Sequence, residues 1–144
     1  ARANYPALGV VPTGPGEMSV YVVRHYGKPS IHIERLVLRT DGFAAVHAPY
    51  RGGELTTKPI RFGGRELEVN VATGAAGCLR VEMQDSDGKP IAVFGAYECP
   101  EIIGDQTDRV VAWKQGTDVS ALAGKPVRLR FLLKDADLYA FRFR

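Results

Sequence analysis

The chain has 144 residues, 45% of them hydrophobic and 24% charged, with a formal net charge of +3. That length suits one domain around one core, and that apolar content excludes a disordered chain. The basic residues are spread singly rather than clustered, so nucleic acid is not an expected partner. No apolar run approaches the ~20 residues of a membrane-spanning helix, so no membrane is expected either.

The chain opens on "ARANYPALGVVPTGPG", whose proline and glycine content predicts an extended lead-in segment over residues 1–16. It begins at Ala1 without the charged start and apolar stretch of a signal peptide. The missing initiator Met points to a piece of a longer protein. Residues 17–144 read as one β-sandwich domain. "MSVYVVRHY" and "IHIERLVLR" are predicted strands with irregular alternation, and "TDGF", "YRGGE" and "FGGRE" mark corners. In "ELEVNVA", Leu67, Val69 and Val71 face one way while Glu66, Glu68 and Asn70 face the other. "CLRVEMQD" repeats the pattern, with Leu79, Val81 and Met83 against Arg80, Glu82 and Gln84.

"DSDGKP" predicts a hairpin turn relaxed by Gly88. "RVVAWKQG" predicts a short strand carrying the single tryptophan, Trp113. "DVSALAGKP" is the one plausible helical turn, opened by Asp118 or Ser120 and stopped by Gly124. "VRLRFLLK" and "DLYAFRFR" are two alternating strands that "KDAD" is expected to join as a hairpin. Roughly ten strands at 8–12-residue spacing imply an all-β chain. The expected architecture is a two-sheet antiparallel β-sandwich of jelly-roll or concanavalin-like type.

Catalytic signals are missing. His25, His32 and His47 lie in no triad context, and no GxSxG elbow is present. His32 and Glu34 share strand parity, which reads as a surface pair. The acids form no distinctive glycosidase pair, and "DSDG" lacks the rest of a calcium loop. The glycine pairs open no phosphate loop. Cys78 and Cys99 have no zinc-type spacing and are expected as free thiols, Cys78 on a polar strand face and Cys99 in a loop. No catalytic residue, metal or cofactor is therefore expected.

Trp113 shares its face with Val111, which favours core packing. The alternative is a sugar-stacking platform with Tyr97 as its neighbour; Tyr50 and Tyr26 are further aromatic candidates. The expected hairpin would gather Arg128, Arg130, Arg142 and Arg144 on one sheet face. Glu66, Glu68 and Glu82 have the parity to neutralise that face. Left unpaired, the arginines would form a basic groove for an anionic polysaccharide. The candidate carbohydrate-binding residues are thus Trp113, Tyr97, Arg128 and Arg130.

Several runs carry a family likeness: "LRTDGFAAVHAPYRGGELTTKPI", "LEVNVAT", "DSDGKPI", "IIGD", "VVAWKQGTDVSALAGKPVRLRF" and "DADLYAFRF". Across Met18 to Arg144 the chain resembles the lectin-like C-terminal β-sandwich of bacterial family-32-like glycoside hydrolases. In that family the catalytic acids sit in an N-terminal propeller, so the resemblance implies a module that is not itself an enzyme. It also implies a secreted or periplasmic setting, a polysaccharide ligand, and a catalytic domain as N-terminal partner. The first expectation is a carbohydrate-binding or accessory module. The second is a purely structural domain that docks on its neighbour and binds no sugar.

Overall fold

The computed structural model describes residues 3–144. Among them are nine strands, two short 3-10 turns and no α-helix. Every strand pairing is antiparallel, and the strands form two sheets. The expected all-β, two-sheet antiparallel class is what the chain adopts. The chain divides into two compact units, Ala1–Phe43 and Ala44–Arg144, so the division falls after Phe43 and not after residue 16.

The first unit is a four-stranded sheet of β1 (Tyr5–Pro6), β2 (Val11–Gly14), β3 (Glu17–Arg24) and β4 (His32–Arg39). β3 lies in the middle, with β4 along one side and β1 and β2 in succession along the other. The expected lead-in is extended, but two stretches of it are hydrogen-bonded to β3. Pro6 and Pro12 sit on these edge strands, where a missing N–H weakens no central ladder. The β2–β3 turn rests on Gly16 at φ 69°, a left-handed backbone that glycine adopts without strain.

The second unit contains β5 (Val46–Ala48), β6 (Gly53–Thr56), β7 (Leu67–Gln84), β8 (Asp105–Val110) and β9 (Arg128–Phe143). β7 and β9 are the central pair; β8 flanks β7, while β5 and β6 share the far side of β9. Here the structure corrects the sequence reading. "ELEVNVA" and "CLRVEMQD" belong to one strand of 18 residues, β7. "VRLRFLLK" and "DLYAFRFR" belong to one strand of 16 residues, β9, and "KDAD" is not a hairpin turn but part of it.

The two long strands stay paired through a wide bulge. Their register passes from Thr73↔Ala136 directly to Cys78↔Lys134, so residues 74–77 of β7 face Asp135 alone. Two glycines let the backbones approach. A Cβ on Gly77 would lie 2.1 Å from the Asp135 carbonyl oxygen, and one on Gly74 would meet the Asp135 carboxylate. Asp135 itself takes φ 43°, a conformation that short polar side chains tolerate better than most.

The bulge bends the pair back on itself. Phe131 and Phe141 lie ten positions apart on β9, which a straight strand would separate by roughly 33 Å. Their ring centres are 5.4 Å apart. The apolar faces of the two halves therefore meet: Leu67, Val69 and Val71 join Leu79, Val81, Met83, Leu129 and Phe131 in one buried cluster. Phe62 stacks on Phe143 at 3.8 Å against the same cluster.

The bulge predicts a selective glycine effect. Gly77→Ala should lower unfolding free energy by at least about 2 kcal/mol, because the opposing atoms are backbone and cannot swing away. Gly63→Ala, where a Cβ meets nothing within 4 Å, should be nearly neutral. Urea unfolding of both variants decides it; equal midpoints would show that the close approach is not there.

Candidate functional site

The aromatic candidate is spent on the core. Trp113 is 3% exposed, its Nε1–H donates to the Val81 carbonyl at 3.0 Å, and Phe94 meets it edge-on with ring centres 5.2 Å apart. β8 ends at Val110, so Trp113 lies beyond the strand expected for it. It opens a tight turn, closed by reciprocal backbone bonds of 2.9 and 2.8 Å with Gly116 at φ 120°. The sugar-platform assignment of Trp113 is corrected: a buried indole with a satisfied N–H offers no face to a ligand.

Tyr97 is the opposite case, 87% exposed in the loop after the 3-10 turn Ala92–Phe94. It shares no binding face with the buried Trp113. Of the other tyrosines, Tyr50 carries the Lys134 ammonium over its ring at 4.3 Å, and Tyr26 meets Tyr5 edge-on at 5.3 Å.

The arginines do not gather into a basic groove, and that expectation is also corrected. Because β9 is one bent strand, Arg128 and Arg130 lie at one end and Arg142 and Arg144 at or beyond the other. Arg128 donates to the backbone carbonyls of Ser86 at 3.0 Å and Thr57 at 3.3 Å. Arg130 holds Glu54 at 2.5 Å and Glu82 at 3.4 Å, and the Glu54 carboxylate raises its pKa further. Arg142 and Arg144 grip opposite oxygens of Glu68 at 2.6 and 2.8 Å, and Arg144 also holds Glu66 at 3.1 Å. Acids that parity placed on this face sit between the arginines and consume their charge.

A hollow of about 360 Å³ lies beside this network, lined by Arg65, Glu66, Thr117, Asp118 and Arg144. Its groups also satisfy one another: Arg65 pairs with Asp118 at 2.8 Å, and Thr117 donates to Glu66 at 3.1 Å. Hydrogen bonds from Ser120, then from Arg65, hold the Asp118 carboxyl well below the usual carboxylate range. Asp118 accepts from the Ser120 amide at 2.8 Å beside the 3-10 turn Ser120–Leu122, which lies where the sequence predicts a helical turn but begins after Val119 without a side-chain cap. Sequence reasoning missed the hollow because its lining comes from separate segments without a common motif.

The histidines and thiols complete the inventory. Glu34, expected beside His32, binds Arg24 instead; His47 pairs with Asp137 at 2.8 Å. Both cysteines are free thiols, Cys78 half-buried and Cys99 buried. Cys99 follows the loop expected for it, but its sulfur points into the core and accepts from the Val81 amide at 3.4 Å. Burial pushes both thiols up in pKa. Among the described residues no group of three or more His, Cys, Asp or Glu could hold a metal ion. No helix among them is long and apolar enough to cross a membrane.

The unclaimed surface is on the first sheet. Strand register puts Tyr5, Val23 and Ile33 in one row, Tyr21 and Arg35 in the next, and Val11, Ser19 and Val37 in the third, all on one face. Ile33 is 71% exposed and Tyr5 54%, with Val11, Tyr21 and Val37 exposed beside them. One polar strip crosses the face: Arg35 donates to Ser19 at 2.9 Å and Thr13 at 3.1 Å, and pairs with Glu17. The opposite face shelters Met18 and Val22. No family model, no curated protein and no solved structure matches the chain.

Two outcomes follow for the buried side chains. Trp113 fluorescence should be blue-shifted, resistant to acrylamide and unmoved by oligosaccharides, and Trp113→Ala should cost about 3–5 kcal/mol. A red-shifted emission that responds to sugar would reverse the assignment. In the folded protein a thiol reagent should modify Cys78 well before Cys99, and both should react once the chain is unfolded without reductant. Equal rates in the folded state would place Cys99 outside the core.

Proposed function

We propose that this chain is a non-catalytic module that works by docking, and that the bare face of its first sheet is the docking surface. One observation carries the reading: five large apolar side chains stand exposed on one face of a four-stranded sheet. Single exposed apolar residues are ordinary, whereas several large ones sharing one face mark a binding surface. Tyrosine and arginine are the residue types enriched in protein–protein hot spots, and Tyr5, Tyr21 and Arg35 share this face. The fitting partner is an apolar protein surface. This is the second of the two readings drawn from the sequence, in which the partner is a neighbouring catalytic domain.

Carbohydrate binding keeps one specific support, the freely exposed ring of Tyr97. Loss of Trp113 and of the arginine groove leaves that ring without companions, so sugar contact stands as the second reading. Export to the periplasm or beyond goes with the family likeness alone.

A photo-crosslinking amino acid placed at position 33 or 37 tests the docking reading in the producing cell. Both positions should give one discrete protein adduct, and position 115 in the second unit should give none. Tyr21→Ser should weaken the adduct at least tenfold and leave the melting temperature within a degree or so. The same adducts from position 115, or none from the sheet face, would refute docking. A glycan array on the same protein that lights up and goes dark with Tyr97→Ala would put the sugar reading first.

A further inference from the structure

The turn between β3 and β4 brings two histidines together. The rings of His25 and His32 lie 5.4 Å apart between centres and are nearly perpendicular, at 86°. Both side chains are exposed. One residue positions both rings: His32 Nδ1 bonds the Ser30 carbonyl at 3.0 Å, and His25 Nδ1 bonds the Ser30 hydroxyl at 2.9 Å. A carbonyl only accepts, so His32 carries a proton on Nδ1, and in the neutral ring the lone pair is then on Nε2. Neither Nε2 has a partner among the described residues.

We propose that His25 and His32 form a two-histidine chelate for a late first-row divalent ion, with copper(II) held most tightly. Metal-binding imidazoles characteristically donate their second nitrogen to a carbonyl or other acceptor, which fixes tautomer and ring angle. Ser30 supplies that support to both rings. The spacing also fits. An ion about 2.0–2.1 Å from each Nε2 lies roughly 3.2 Å from each ring centre, so two ring centres about 5.2 Å apart suit a tetrahedral angle once the exposed rings turn both Nε2 atoms toward it. Water would complete the shell, since among the described residues no third His, Cys, Asp or Glu joins the pair.

The backbone is held in a shape that serves this arrangement. His25 has φ 53°, a left-handed conformation uncommon outside glycine. It is fixed from both sides, its N–H donating to Asn4 Oδ1 at 3.3 Å and its carbonyl accepting from Lys28 at 3.0 Å. The one cation across the ladder from His32, Arg24, is neutralised by Glu34. Copper(II) leads the order of affinity because divalent ions at nitrogen sites follow the Irving–Williams series. The inference is independent of the docking face, since Arg24, His32 and Glu34 lie on the opposite side of the sheet.

Calorimetric titration of the whole chain with copper(II), nickel(II) and zinc(II) tests it. One equivalent should bind, copper(II) more tightly than either nickel(II) or zinc(II). His25→Asn and His32→Asn should each weaken copper binding at least tenfold, Ser30→Ala by a smaller factor, and His47→Asn not at all. Electron paramagnetic resonance of the copper-loaded wild type should show two equivalent-type imidazole nitrogens, a readout that needs no variant. Copper affinity indifferent to both Asn substitutions, a signal with one nitrogen, or loss of binding through His47→Asn would each overturn the site and leave only an edge-to-face ring pair.

Discussion

The close passage of β7 over Asp135 is the constraint on which the second unit depends. Two strands of 18 and 16 residues cannot enclose a core while straight, because their apolar faces would point the same way along their whole length. The bulge at residues 74–77 gives the pair a corner, and each half then covers the other. Trp113, Val111 and Val119 belong to the same buried cluster, with Phe94 packed against it. The indole belongs there because its N–H reaches a strand carbonyl, which removes the cost of burying it.

The outer face of β7 shows how a central strand can carry acids. Glu68 and Glu82 are buried, and a buried carboxylate is costly unless paired. Each receives arginine from β9 or just beyond it; Glu82 also accepts from Gln84 at 2.8 Å and from the Ala96 amide at 3.3 Å. No buried side-chain nitrogen or oxygen among the described residues lacks a partner. A face so fully matched has little left for an anionic ligand, since each new contact would break an existing pair. The same reasoning applies to the hollow at Arg65, whose charges are closed on themselves.

Alternation made the strand faces legible. Leu67, Val69, Val71, Leu79, Val81 and Met83 are all core residues, as period two requires. Strand length and connection were not legible, because "ATGAAGC" and "KDAD" carry the glycine and aspartate that normally close turns. Only the partner strand reveals that these segments stay in the ladder and bend it. The arginine cluster failed for the same reason: one expected hairpin was a single strand, which sent two pairs of arginines to separate ends. The Trp113 core reading rested on sharing a face with Val111, and burial of both agrees with it although the residue lies past the strand. The histidine pair escaped notice because nothing in "HYGKPSIH" says that the turn folds one ring against the other.

The first unit follows a different physical logic. Its sheet has four strands, two of them only two and four residues long. So small a sheet gains little stability of its own while one apolar face is wet, since small domains bury too little surface. Its polar content is arranged accordingly: Arg35, Ser19, Thr13 and Glu17 satisfy one another along one strip, and the rest of the face is left to Tyr5, Val11, Tyr21, Ile33 and Val37. Edge strands that avoid pairing usually carry charge or proline, and β1 and β2 have Pro6 and Pro12. On that side the edge is guarded while the broad face is not. Selection against aggregation acts on both, so an unguarded face beside a guarded edge is what the proposed docking would require.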